Sequence, residues 1–370
     1  MPNDDEQSFV NRSRRAVLKS SAGLLAGTGL AGCLDSLDDL AEEGSADSGY
    51  AAFFTLWDWA EQVAGENVEF ENPVEVGQIG HGWSPTGDIT RDIAATDVFV
   101  YLDTPEFGWA QDIADTLERD HPDEIVVVDG LEGVDMLEWD HDHDHDHDHG
   151  HDDHHDDHGH DDHHDDHDHD DHHDDHDHDD HHDDHDHDHD HDHGDYDPHV
   201  WVDPVRAQTI VDTIADGLVE ADPENEDVYR DNAEAYKNEL AEIDEAFEEL
   251  VAEAERDVAV LAGHDSFQYL EARYGFELHT PVGVSPDDRP SPSEIADTVE
   301  FVNEHGIDVI LYDRFESPQL AEQIEANSDA TEVVAITPAE GTTQEWSENG
   351  WGYVEQMKEI NLPAFEKALN

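Results

Sequence analysis

The order of apolar and polar positions divides this chain into two stretches of one kind, separated by a long amphipathic segment. In the first stretch, Val98-Phe99-Val100-Tyr101-Leu102 and Ile125-Val126-Val127-Val128 are short apolar runs bounded by Asp and Gly. Such runs suit strands buried on both faces of a parallel sheet. The pattern from Trp109 to Leu117 predicts a helix between them, giving a β-α-β alternation. Tyr50 to Ala64 predicts a strand leading into a helix, and Pro204 to Val219 a further helix. The last third repeats the theme. Strands are predicted at Val258 to Leu261, Val309 to Tyr312 and Val333 to Ile336, with helices over Ser266 to Tyr274, Pro292 to Glu304 and Pro318 to Ala326. Ser291-Pro292-Ser293-Glu294 places a capping residue and a proline at a helix start.

Between the two stretches, after Pro223, apolar positions fall at Tyr229, Ala233, Tyr236, Leu240, Ile243, Phe247, Leu250 and Ala254. Spacings of four and three alternate over about seven turns, with Glu on the opposite face. A long surface helix would show the same pattern, but the position midway between two β-α regions favours a helix that joins two lobes. The expected fold class is α/β: two lobes, each a mostly parallel sheet flanked by helices, joined by a long rigid helix. Residues 50–139 with 196–222 make the N-terminal lobe, 223–257 the linking helix and 258–370 the C-terminal lobe.

One segment has no hydrophobic pattern at all. Residues 140–195 contain only 28 Asp, 25 His and three Gly. The segment cannot bury an apolar face, so it is expected to be a disordered loop. A solvated acidic linker is the bland reading. Alternating His and Asp, however, offers nitrogen and oxygen donors at every step, and His-rich tracts read as metal binding. His141, His143, His145, His147, His149, His151, His187, His189, His191 and His193 lie in its strictly alternating ends and are the candidate auxiliary ligands.

The acidity extends beyond that loop. The chain carries 100 Asp and Glu against 15 Lys and Arg, a formal net charge of −85; without the loop's 28 Asp, 72 acidic residues remain. A surface so charged repels itself unless salt is near molar, where the Debye length is about 3 Å. This points to a halophilic source. It excludes nucleic acid as a partner, since phosphate contacts need Lys and Arg.

The N-terminus is an address. Ser13-Arg14-Arg15-Ala16-Val17-Leu18-Lys19 resembles a twin-arginine export signal, and the apolar run from Ala22 to Ala31 is too short to span a bilayer. Leu30-Ala31-Gly32-Cys33 resembles a lipoprotein cleavage box, and Cys33 is the single cysteine of the chain. Residues 1–32 are therefore expected to be a signal peptide, Cys33 the lipidated residue, and 33–49 a small, acidic, flexible tether. The mature protein is expected to be held on the outer face of the cell membrane.

Six histidines lie outside the His/Asp loop: His81, His121, His199, His264, His279 and His305. Three sit in loops next to predicted strand or helix ends: Gly80-His81-Gly82-Trp83-Ser84-Pro85-Thr86, Asp197-Pro198-His199-Val200-Trp201-Val202-Asp203-Pro204 and Gly263-His264-Asp265-Ser266-Phe267. In α/β sheets ligands bind beyond the carboxyl ends of strands. Three imidazoles with one carboxylate or water form a four-coordinate zinc set, although a lone loop histidine is more often a solvated side chain. Three nitrogens favour zinc over manganese, which prefers oxygen-rich sites.

These segments carry a resemblance. The chain resembles the metal-binding lipoproteins that serve zinc and manganese ABC importers, in the cluster with a rigid inter-lobe helix. His81 to Thr86 is similar to that family's His-x-Tyr-x-Pro-Thr, and Asp197 to Pro204 to its Asp-Pro-His-x-Trp-x-Asp-Pro block. His264 to Gly275 resembles His-x-x-Phe-x-Tyr-Leu-x-x-x-Tyr-Gly, and Val284 to Ser293 the Gly-x-Ser-Pro…Pro-Ser-Pro stretch. The resemblance implies that His81 and His199 of the first lobe and His264 of the second bind Zn²⁺, with Mn²⁺ as the alternative. The partners it implies are an ABC permease and its ATPase, served by a monomeric binding protein. The family offers an Asp after the last strand, where this chain has Thr337 in Ile336-Thr337-Pro338-Ala339-Glu340. Glu340 or water then supplies the fourth ligand. Asp313 matches another acidic position and reads as a supporting or solvated carboxylate, and His121, His279 and His305 read as surface residues.

The rival functions are a zinc hydrolase and a stand-alone zinc buffer or chaperone. A hydrolase would need a general base and a nucleophile or His-Glu-x-x-His motif, and none is seen, so the chain is expected not to be an enzyme.

Overall fold

The computed structural model describes residues 46–85, 87–122, 124–138, 196–283 and 289–370. The export segment, Cys33, most of the tether, the His/Asp loop with its candidate ligands, Thr86 and residues 284–288 lie outside the described residues.

The first lobe is built from β1 (Ser48–Ala51), α1 (Phe54–Ala64), β2 (Glu69–Glu71), α2 (Ile89–Ile93), β3 (Val98–Tyr101), α3 (Gly108–Asp120), β4 (Val126–Asp129) and α4 (Pro204–Ala221). Its four strands are parallel in the order β2-β1-β3-β4. The second lobe contains β5 (Val258–Leu261), α6 (Gln268–Tyr274), β6 (Glu277–His279), α7 (Pro292–His305), β7 (Val309–Asp313), α8 (Gln319–Asn327) and β8 (Glu332–Ile336). Its sheet is parallel in the order β6-β5-β7-β8, the topology of the first lobe repeated. In both sheets the order reverses beside the first strand, which opens a crevice at the carboxyl ends.

Between the two runs α5 (Glu226–Glu253), 28 residues and about 42 Å long. It buries one stripe, Tyr229, Ala233, Tyr236, Leu240, Ile243 and Phe247. Early in the helix the stripe packs on α1 and α4, and Tyr236 donates to Asp58 Oδ2 of α1 at 3.1 Å. Near its end Phe247 stacks on Tyr274 of the second lobe, with ring centroids 5.2 Å apart. One helix is thus bonded into both cores.

The chain ends in α9 (Gln344–Asn349), α10 (Tyr353–Gln356), a π turn at Met357–Asn361 and α11 (Leu362–Ala368). Pro363 has no N–H to donate and its ring crowds the preceding turn, which accounts for the widened geometry before it. These helices pack on both lobes. Tyr353 donates its N–H to Asp58 Oδ2 at 3.0 Å and its hydroxyl to Trp201 O at 2.7 Å.

Local chemistry explains the helix ends near the crevice. Asp203 caps α4 by accepting from Val205 N at 2.9 Å, with Pro204 as the first helical residue. Ser291 and Glu294 form a reciprocal capping box at the start of α7. The short edge strands β2 and β6, three residues each, are absent from the hydrophobic pattern, because each has a single buried apolar residue, Phe70 or Leu278. An antiparallel bridge pairs Glu138 with Tyr196, and Asp197 N donates to Leu137 O at 3.0 Å. The chain therefore leaves for the His/Asp loop and returns from it at one point, three residues before His199.

Candidate metal centre

Each histidine singled out by its loop context stands beyond a strand end. His81 follows β2 in a loop whose Gly80 lies under the aromatic floor of the first lobe. A Cβ on Gly80 would sit 2.6 Å from Phe53 Cβ, so only glycine allows the loop to lie this close. Phe53 stacks on Phe107 at 4.7 Å, and Phe107 faces the His81 ring. His199 enters a single 3₁₀ turn, Val200–Val202, just before α4. His264 follows β5 directly. The ring centroids are 5.8 Å apart for His81 and His199, 5.3 Å for His199 and His264, and 6.3 Å for His81 and His264. Residues separated by more than 180 positions thus face one point.

Glu340 joins them. It follows β8 and is fully buried. One carboxylate oxygen accepts weakly from His81 N at 3.4 Å, and the other lies 3.4 Å from His199 Nε2. Its placement depends on the first lobe. Trp201 Nε1 donates to Pro338 O at 2.7 Å, and the Thr55 hydroxyl donates to Ala339 O. Ala339 has φ of 60°, a left-handed conformation that an alanine adopts only when its surroundings enforce it. Gly341 then passes so close that a Cβ would fall 2.3 Å from Gln78 O. Thr337, at the position of the expected acid, is turned away. Its N–H donates to Asn361 and its hydroxyl accepts from Ala339 N.

Two carboxylates back the imidazoles. Asp197 Oδ1 lies 2.8 Å from His199 Nδ1, and Glu316 touches His264 Nδ1. Asp313 is buried with Oδ1 accepting from Phe315 N at 2.9 Å. The donors fall into two adjoining groups, His81 with His199 and Glu340, and His264 with Asp313 and Glu316. Among the described residues, Nε2 of His264 and Oδ2 of Asp313 are shielded from solvent and make no hydrogen bond, and Nε2 of His199 and Oε1 of Glu340 have only each other, at 3.4 Å. Buried polar atoms without partners are rare, and their concentration around one point marks a place built for a ligand.

The electrostatics follow from these contacts. Burial alone would lower the His199 pKa, but Asp197 and Glu340 outweigh it and push it up to about 10. Burial alone would raise Glu340, but His199 and the other two imidazoles hold it down to about 2. Without a metal the pair is an imidazolium and a carboxylate. Asp313, desolvated and close to other carboxylates, is pushed up to about 7. A cation at this point would replace the proton on His199 and face ionised carboxylate.

The remaining histidines stand apart from this cluster. His121 pairs with Glu124 at 2.9 Å, while His279 and His305 stack on the Phe301 ring at 4.2 and 4.0 Å. His121 and His279 are half-buried rather than fully exposed. The pattern of residue types gave no sign of Glu316, which is 52 positions from its partner. Asp197, two positions before His199, was visible in the Asp-Pro-His block.

The family model for the periplasmic component A of the zinc-uptake complex matches residues 50–368. The chain belongs to the ZnuA family. It is 27% identical over 334 residues to the high-affinity zinc uptake system protein ZnuA of Bacillus subtilis, covering 88% of this chain and 91% of that protein. It is 25% identical over 321 residues to the zinc-binding lipoprotein AdcA of Streptococcus pneumoniae, covering 86% of this chain and 55% of AdcA. The chain thus spans about half the length of AdcA. Among solved structures, the Zn(II)-bound ZnuA-like domain of S. pneumoniae AdcA aligns with TM-score 0.64 and 23% identity, over 88% of this chain and 99% of that one. The laminin-binding protein of Streptococcus agalactiae aligns with TM-score 0.66 and 21% identity, over 88% of this chain and all of that one. These structures share the two-lobed fold. The ZnuA family is one of solute-binding proteins of zinc transport that work with ABC importer components, and it is not an enzyme family. Among the described residues, no helix is long and apolar enough to cross a membrane.

Proposed function

We propose that this protein captures one Zn²⁺ between its lobes, on His81, His199, His264 and Glu340, and delivers it to an ABC permease and its ATPase for import. The observation that supports this most is the convergence of three imidazoles and one buried carboxylate, with Nε2 of His199 beside Glu340 and Nε2 of His264 buried without a hydrogen bond. Three nitrogens and one oxygen suit four-coordinate zinc better than manganese. The donors come from both sheets, so the ion bridges the lobes and favours the arrangement that brings them together. In this reading Glu340, rather than water, fills the fourth position.

The remaining features complete the proposal. The protein is exported by the twin-arginine route, lipidated on Cys33, and acts as a monomer on the outer face of the membrane of a halophile. The His/Asp loop serves as a weaker auxiliary store beside the cleft. The Glu138–Tyr196 bridge at its base supports this, since it roots the loop three residues from His199.

Metal analysis and zinc titration of the protein, with and without residues 140–195, test both parts. The protein without the loop should bind one tight zinc, and His199→Ala in that background none. Equal stoichiometry with and without the loop would exclude the auxiliary store. A loop-free protein that binds no zinc would exclude the cleft site.

A further inference from the structure

We infer that Glu316 is a positioning residue of the zinc site, a role that rests on the reading of His264 as a ligand. The turn after β7 is built to aim it. Asp313 Oδ1 accepts from Phe315 N at 2.9 Å, Asp313 O from Glu316 N at 3.0 Å, and Ile336 O from Arg314 N at 2.8 Å. Held by these three bonds, the turn sends the Glu316 side chain back over the end of β5. There Oε1 meets His264 Nδ1. Oε2 rests against Gly263, 3.2 Å from where a Cβ would stand.

An imidazole carries its proton on either nitrogen, and a buried one has no water to fix the choice. A carboxylate can only accept. Glu316 therefore keeps the hydrogen on Nδ1 and leaves the lone pair on Nε2, the atom that faces the other donors without a hydrogen bond. Asp197 acts on His199 from two residues away, whereas Glu316 reaches His264 across 52.

The test compares Glu316→Ala, Glu316→Gln and His264→Ala with wild type, all as full-length protein holding one equivalent of zinc. The tightest zinc affinity is measured by chelator competition, and the imidazole N–H protons are observed by NMR with ¹⁵N-labelled histidine. Glu316→Ala should weaken binding by about 10- to 100-fold and abolish one downfield, exchange-protected Nδ1–H signal. Glu316→Gln keeps an acceptor and should stay within about threefold of wild type. A bracing role would lower Tm in the alanine variant and leave both the affinity and the N–H signal unchanged, which would overturn the inference. Equal losses in the alanine and glutamine variants would also overturn it. If His264→Ala binds zinc as tightly as wild type, the ligand assignment itself fails; if only that variant loses zinc, the ligand assignment stands and the role of Glu316 falls.

Discussion

The two adjoining groups of donors in the cleft hold opposite balances of charge. In the first, two imidazoles face one carboxylate, and the pair of His199 and Glu340 is settled as ions, with pKa values of about 10 and about 2. In the second, one imidazole stands among carboxylates, and Asp313 is pushed up to about 7 because burial and its neighbours disfavour a further negative charge. The first group is also held by contacts between the lobes. Trp201 and Thr55 of one lobe grip the backbone carbonyls that lead into Glu340 of the other. His264 instead depends on a carboxylate from its own lobe. In the proposed site the first group joins His81 and His199 of one lobe to Glu340 of the other, and the second group adds His264, braced from within its own lobe.

The largest effects should come from the first group. Glu340→Ala is expected to weaken zinc binding by at least about 100-fold, more than loss of a carboxylate that acts through an imidazole. Chelator competition measures this, and a loss no greater than that of Glu316→Ala would erase the distinction between the groups. The proton on His199 comes next. Its folded pKa is raised, so the stability it contributes is fully present below the unfolded value near 6.5 and is lost as pH rises through about 10. Zinc requires the neutral ring. Over pH 7 to 9 the affinity should therefore rise by about tenfold per pH unit for each proton displaced, and calorimetry in buffers of different ionisation enthalpy should detect proton release. A pH-independent affinity with no proton release would contradict the ion pair.

The smallest effect belongs to the second lobe. Burial also raises Asp265 to about 6 and Glu271 to about 8, and neighbouring carboxylates add to the shift. Carboxyl groups with raised folded pKa contribute stability that is present below their unfolded values and is lost as pH rises through the folded ones. The metal-free protein should thus become less stable between pH 4 and 8. Glu271→Gln retains an acceptor for Leu278 N, which lies at 2.5 Å, and should raise Tm by a few degrees at pH 8.5 with no gain at pH 4. An equal gain at both values would point to packing rather than charge.

Legibility in the sequence followed the range of the interactions involved. The stripe of α5 and the run at β5, Val258–Leu261, were readable because periodicity and burial are local. The three-residue strands β2 and β6 and the π turn before Pro363 were not, since three residues hold too few alternations and the C-terminal helices owe their place to packing on both lobes. His81, His199 and His264 stood out by their loop contexts. The approach of Glu340 to His199 could not be read from residue order, because the conformation of Ala339 is set by Thr55, 284 positions away, and the neighbouring carbonyl by Trp201. For the same reason the partnership of Glu316 with His264 became visible only when β5 and β7 were paired.

The most direct measurement is X-ray absorption at the zinc edge, on protein lacking residues 140–195 and loaded with one equivalent of metal. The expected result is a four-coordinate ion with three imidazole nitrogens and one carboxylate oxygen, and the loss of one imidazole in His264→Ala. An ion with fewer than three imidazoles, or a spectrum unchanged by that substitution, would contradict it.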